Sequence, residues 1–285
     1  MPATYAHHRF GQEVCALLPV EEQRVLRDHA GLFAIGLQGP DILFHYHPLT
    51  DNPVKGLGHG MHDRPGREFF APAAERVRQT GERPQDLAYL LGFLCHFLLD
   101  TFCHGYVEEQ ARQGPVSHVA METAFDRMLM AGDGLDPLIH RPAAVLVPSR
   151  ENGAIIAGFF PALTATQIRR AIRGMVRDGD LLRTPGRGKE WLLTLGLKAA
   201  GQYESLSGML MTRKEDPRCR ESTAVLWKLY QQAVPWAAEQ LEAYRQYLAG
   251  VGQLDPVYEQ TFVPQTFRGS LGGNLEENRN RFYKI

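Results

Sequence analysis

From Leu87 to Phe102 the chain is apolar on almost every side of a helix, interrupted only by His96 and Asp100. An amphipathic surface helix carries one apolar stripe, so an all-round apolar segment predicts a helix buried among others. Its start is placed at Pro84, with Asp86 as N-cap, and its end near Gln110. Upstream, Phe10, Val14, Cys15 and Leu18 recur at helical spacing, predicting a helix over His8 to Leu18 that Pro19 ends. A second helix is predicted from Val20 to about Ile35, broken by Gly36-Leu-Gln-Gly-Pro40. Residues 46 to 66 are rich in Pro, Gly, Asn and Asp and read as a long loop. Downstream, Ser117 can cap a helix reaching about Met130. Leu163 to Val176 places Ile168, Ala171, Ile172, Met175 and Val176 on one face, with Arg169, Arg170, Arg173 and Arg177 elsewhere. Those arginines read more simply as a solvated helix side than as a phosphate path. Thr184 to Lys189 reads as a loop, and Glu221 to Ala249 as a long helix that Pro235 kinks or breaks. No strand-period alternation and no internal repeat is found. The expected class is all-α: a single multi-helix domain over 1–250, with a metal cluster between buried helices, and an irregular C-terminal tail over 251–285.

Composition narrows the picture further. The formal net charge of −1 gives no global field toward nucleic acid or an anionic membrane, although a local basic patch is compatible with that balance. The four cysteines form no CxxC pair, which argues against a disulfide framework and against a cysteine zinc site. The first residues lack a basic region followed by an apolar run, so no signal peptide is expected. No stretch reaches the roughly 18 uncharged apolar residues of a membrane span. A soluble, cytoplasmic protein is the expectation. Of the eleven histidines, nine precede residue 105 and none follows residue 140, so imidazole chemistry belongs to the first half.

His96, Asp100 and His104 stand at i, i+4 and i+8 of the buried helix. They drift only about 80° around its axis and so point to one side. Burying an ionised carboxylate among Leu98, Leu99 and Phe102 is costly without a cation. Imidazole and carboxylate together suit divalent ions, with zinc the commonest occupant. His118-x3-Glu122 is a second i, i+4 pair; alone it would read as a solvated helix face. The simpler alternative for each histidine is a hydrogen-bonded core residue.

The string His96-x3-Asp100-x3-His104 followed by His118-x3-Glu122 resembles the zinc-dependent phospholipase C family, whose helical fold is shared by single-strand-specific zinc nucleases. The resemblance extends to Tyr5-Ala-His7-x3-Gly11, Gly39-Pro-Asp41, and Met61-His62 ahead of Phe69-Phe70, covering roughly residues 1 to 130. It implies two or three zinc ions. Asp41, His62, His96 and Asp100 would hold the first, His7 and the bridging Asp100 the second, and His104, His118 and Glu122 the third. It also implies phosphodiester hydrolysis through a metal-activated water that Asp41 orients or deprotonates. Secreted members complete one metal site with an N-terminal amine; here the implied group is the Pro2 amine after loss of Met1. His8 and His59 are rivals to His7 and His62. Asp126 is either an orienting partner of a ligating histidine or a surface charge. His45 and His47 lie near Asp41 in the sequence, with hydrogen-bonding or surface roles the simpler reading. The expected substrate is a phosphate ester, including phospholipid, with Phe44, Tyr46, Phe69 and Phe70 as a candidate apolar rim. Nucleic acid has no support from charge. The alternatives are a metal-stabilised helical binding or structural protein and a zinc-dependent nuclease.

Overall fold

The computed structural model describes residues 4–199, 201, 203, 207–211 and 213–264. Among them every regular element is helical. In chain order the α-helices are α1 (Thr4–Leu17), α2 (Val20–Asp28), α3 (Ala30–Gly36), α4 (Pro53–His62), α5 (Arg67–Gln79), α6 (Pro84–Gln113), α7 (His118–Gly132), α8 (Arg150–Ala157), α9 (Ala165–Leu182), α10 (Arg187–Ala199) and α11 (Arg220–Leu248). A 3₁₀ turn, Gly39–His45, joins α3 to the segment leading into α4.

The fold is organised around α6. Its residues from Asp86 to His104 are buried without interruption, because α1, α3, α7, α11 and the 3₁₀ turn all pack against it. By length and composition α6 could cross a membrane, yet its most apolar window lies wholly inside the protein. Burial by neighbouring helices explains its all-round apolarity. The closest approach is to α3. A Cβ on Gly36 would lie 2.3 Å from Tyr89 O, and one on Gly92 would lie 2.4 Å from Phe33 O, so both positions exclude any side chain. On the other side α11 braces α6 and α1: Phe10 meets Tyr230 edge-on, and the Tyr244 hydroxyl donates to Phe70 O at 2.7 Å.

Several elements depart from the sequence reading. Residues 46–66 are not one loop, because Asn52 accepts hydrogen bonds from the N–H groups of Val54 and Lys55 and Pro53 opens α4. Asn and Pro here are a helix start rather than turn residues. The segment from Val20 is two helices divided at His29: α2 buries Leu26 alone, whereas α3 buries Leu32 through Gly36, and one straight axis cannot serve both patterns. Asp86 is not an N-cap. It is fully buried in the first turn of α6, where Thr80 and Arg83 donate to its carboxylate. Arg187 already begins α10 within the expected loop. Helix α11 runs through Pro235, which faces solvent, so the carbonyl it leaves unpaired can be hydrated. Residues 251–264 are no loose tail: Val257, Tyr258 and Phe262 pack into the core. The rest of the expected tail lies outside the described residues.

Ser117 caps α7 as expected, accepting from the N–H of Ala120. Helix α9 buries Ile168, Ala171, Ile172 and Met175 as its pattern requires, and Arg170, Arg173 and Arg177 lie on its solvated side.

Candidate metal centre

Asp100 is the hub. Its carboxylate is buried inside α6 and faces three imidazoles: Oδ2 lies 3.0 Å from His96 Nε2, and Oδ1 lies 3.2 Å from His7 Nε2 and 3.3 Å from His104 Nε2. His96 and His104 reach it from the same helix by the i, i+4 geometry. His7 comes from α1, whose Phe10 and Val14 anchor the same face in the core. The rings of His7 and His96 stack at 4.2 Å.

The 3₁₀ turn brings the next acid. Gly39 has a φ of +51°, and a Cβ there would lie 2.2 Å from His96 Cδ2. Only glycine permits that backbone conformation and lets the turn lie directly on the His96 ring. Asp41, two residues on, meets His62 at the end of α4, with Oδ1 3.0 Å from His62 Nε2. The opposite ring nitrogen, His62 Nδ1, donates to Gly58 O at 2.8 Å and fixes which nitrogen faces the acid. His96 Nδ1 is held in the same way by Leu37 O at 3.3 Å. On the far side of Asp100, Glu122 Oε1 lies 3.2 Å from His104 Nε2 and 3.1 Å from His118 Nε2.

These residues form three groups, each with donor atoms mutually within 4.8 Å: His7, His96 and Asp100; Asp41, His62 and His96, which share His96 with the first; and His104, His118 and Glu122. All eight residues singled out from the sequence are therefore brought together. The grouping differs in two respects from that implied by the resemblance: His96 falls with His7 and Asp100 as well as with Asp41 and His62, and Asp100 is not grouped with Asp41 and His62. The Pro2 amine lies outside the described residues.

The arrangement fits divalent ions. His96 Nε2 is buried without a hydrogen-bond partner among the described residues although Asp100 Oδ2 is 3.0 Å away, so nitrogen and oxygen converge on shared space rather than bonding to each other. Among the described residues the only basic side chains within ion-pair distance of Asp100 are these histidines. In the metal-free chain imidazolium must supply the countercharge. Burial alone would raise the carboxyl groups of Asp100 and Glu122, but both lie well below the usual range: His104, His96 and His7 hold Asp100 there, and His118 and His104 help to hold Glu122. Conversely, burial disfavours charged His62 and His118, yet Asp41 pushes His62 up to about 9, and Glu122 with Glu108 pushes His118 up to about 10. Burial and the neighbouring His96 hold His7 below its usual range, so protons collect on His96, His62 and His118, where a divalent ion would displace them.

Other histidines stand aside. His59 packs on the Phe44 ring instead of joining Asp41. His45 pairs with Asp178 of α9 at 2.8 Å. Asp126 is neither a surface charge nor a histidine partner: it is buried and accepts hydrogen bonds from the N–H groups of Tyr5 and Ala6, at 3.1 and 2.8 Å. It therefore caps the start of α1 and positions His7, while burial pushes its own carboxyl up to about 8. The aromatic rim fails in part, because Phe70 is fully buried in the core, whereas Phe69 is half-buried, stacks on Phe93 at 4.1 Å and lines a cavity with Leu57, Met61, Phe160 and Phe262. Glu108 escaped the sequence reading. Its Oε1 lies 2.6 Å from His118 Nδ1, and its only sequence signal is the i+4 spacing from His104.

A cavity of about 30 Å³ is lined by His7, Asp100, His104 and Glu122, and a separate one of about 110 Å³ is lined by Thr4, His45, Asp126, Met175, Leu182 and Met209 among others, with none of the eight clustered residues on its wall. A family model for zinc-dependent phospholipase C matches residues 6–157, more than half of the chain and all eight clustered residues. No curated protein and no solved structure matches it.

Proposed function

The chain belongs to the zinc-dependent phospholipase C family, and we propose that it is a zinc-dependent hydrolase of phosphoric esters acting on a phospholipid-like diester. The observation that carries this reading is Asp100, a buried carboxylate facing three imidazole nitrogens at 3.0–3.3 Å. In this reading His7, His96 and Asp100 hold one ion, Asp41, His62 and His96 a second, and His104, His118 and Glu122 a third, Asp100 lying between the groups. Bound zinc would acidify water and offset negative charge on the phosphoryl oxygens.

The protein side follows from position. Asp41 sits at the outer edge of the cluster with its side chain 15% exposed, and the hydrogen bond from His62 helps hold its carboxyl below the usual range against the opposing effect of burial. An ionised carboxylate at that edge can accept a proton from an attacking water or fix its orientation. Leu37 O, Gly58 O and Glu108 keep the second nitrogens of His96, His62 and His118 occupied, which fixes the rings.

Elemental analysis of the purified protein tests the metal, and assays with short-chain phosphatidylcholine, a generic phosphodiester and single-stranded DNA test the substrate. Two or three zinc ions per chain, lost together in Asp100→Ala along with phosphodiester turnover, are expected. A chain that retains no metal and gains no stability from added zinc would refute the hydrolase reading. Turnover of DNA in preference to lipid would shift it to a nuclease.

A further inference from the structure

Among the described α-helices α10 stands apart, because none of its residues is buried. Its outward side carries Trp191, 63% exposed, Leu192, 61% exposed, and Leu195, 50% exposed. At 100° per residue these three form one stripe along the helix, and Arg187 and Lys198 fall on its border. Leu193 and Leu197 turn partly inward. The helix is fastened near its start by polar contacts: Lys189 Nζ donates to Asp180 O at 2.8 Å, and Arg213 Nε donates to Glu190 Oε2 at 2.7 Å. Glu190, the one acid in α10, is thereby neutralised and lies away from the stripe.

We propose that α10 is an interfacial helix that docks the protein on an anionic phospholipid surface. Several features choose this occupant. A tryptophan and two leucines on one side, with cations at the edge, is the pattern of a helix lying flat at the headgroup boundary. The cations then sit at phosphate depth, their apolar stems lying along the acyl boundary. The outward side carries positive charge and no acid, which complements an anionic surface. A two-fold contact with a second copy would instead set the same cation-bordered stripe against itself, with no acid to receive Arg187 or Lys198. Position supports the same occupant. The chain leaves α9 at Leu182 and Arg183, forms α10, and returns at Met209 and Met211. These four residues line the cavity that reaches Thr4 and Asp126. A surface held by α10 therefore lies beside this largely apolar cavity, which ends at Asp126, the residue that caps the helix carrying His7. The proposal shares its lipid-like substrate with the reading above but can be read without catalysis.

The test is sedimentation of the full chain with vesicles of phosphatidylcholine alone and of phosphatidylcholine mixed with phosphatidylglycerol, in EDTA so that hydrolysis plays no part. Binding to the mixed vesicles, weakened by salt, is expected. The triple variant Trp191→Ser/Leu192→Ser/Leu195→Ser should lower partitioning at least about 100-fold. Arg187→Gln/Lys198→Gln should lower it about 30-fold on the mixed vesicles and little on phosphatidylcholine. Trp191, Leu192, Leu195 and Arg187 are exposed and Lys198 lies over the Tyr203 ring at 4.9 Å, so none of them is buried and circular dichroism should match the parent; the paired charge variant gives an independent reading. Tryptophan emission should shift to the blue on vesicles in the parent and lose that shift in Trp191→Phe. Absence of binding by the intact chain, equal binding by the folded triple variant, or a dimer that this variant dissociates would overturn the proposal. Turnover of a soluble short-chain ester, measured separately with zinc, reports on the hydrolase reading alone.

Discussion

Removing Glu108 should weaken metal binding without touching a proposed ligand. Glu108 Oε1 lies 2.6 Å from His118 Nδ1, while the opposite nitrogen, Nε2, faces Glu122. The carboxylate fixes the ring and makes it a better donor; loss of such a partner typically costs about 10- to 100-fold in metal affinity. Here the side chain of Glu108 is 33% exposed and that of His118 is 24% exposed. Water screens part of the interaction, so Glu108→Ala should fall near the lower end, about tenfold or ~1.4 kcal/mol. An opposing effect sets the pH dependence. Glu122 and Glu108 together push His118 up to about 10, so at neutral pH the metal must displace a proton from this ring. Removing Glu108 eases that competition. The loss should therefore be largest near pH 9 and shrink toward pH 6.5. Competition of the purified protein against a chromophoric zinc chelator across this range measures it. Glu108→Gln, which keeps an acceptor oxygen, should recover part of the affinity. Glu109→Ala is the control, because Glu109 is exposed and bonds only Gln113 among the described residues. Affinity within about threefold of the parent at every pH, or an equal loss in the Glu109 variant, would refute the reasoning.

Further outcomes follow from the same geometry. His62 and His118 are raised to about 9 and about 10, so their contribution to the stability of the metal-free fold is complete below pH ~6.5 and fades as the pH rises through those values. Metal-free denaturation midpoints should fall over that range, and zinc binding at pH 7 should release protons, seen calorimetrically as a dependence on buffer ionisation enthalpy. Gly92→Ala forces a methyl against Phe33 O and should cost about 3 kcal/mol in denaturant melts, whereas Gly31→Ala, with nothing within 4 Å, should be neutral or slightly stabilising. Asn52→Ala removes the cap of α4 and should cost about 1 kcal/mol by thermal unfolding; an unchanged midpoint would mean the cap is dispensable.

The hub of the centre could be seen in the chain because α6 supplies it locally. Helical spacing alone aligns His96, Asp100 and His104, and their apolar neighbours make the carboxylate conspicuous. Asp41 and His62 are different. Their meeting depends on the Gly39 turn lying on His96 and on α4, whose Asn52-Pro53 start reads like turn residues when its side-chain hydrogen bonds are unseen. His62 could be preferred to His59 only from its neighbours in the sequence, since Phe44 packs against both rings and the difference is that His62 reaches Asp41. Glu108 hides beside Glu109 as an ordinary charge pair at the end of a long helix. Phe70 misled for the opposite reason: an aromatic pair suits a rim or a core equally until neighbours such as Phe93 and Tyr244 enclose one member and leave the other, Phe69, on a cavity wall.

The clustered residues are strung from position 7 to position 122, and the helix that braces two of their carriers, α11, begins only at Arg220. His104, His118 and Glu122 can meet within the α6–α7 hairpin, but no local stretch of the chain can assemble the groups that hold His7, Asp41 and His62. Closing such long loops is entropically slow, so the centre forms late along the folding route, after α6 has collapsed onto α3 and as α1 is pressed home. Zinc supplied during refolding should then act on the final step: it should slow unfolding strongly and leave the refolding rate nearly unchanged. The ions would thus lengthen the lifetime of the native state rather than guide the search for it, and stopped-flow rates with and without zinc distinguish the two.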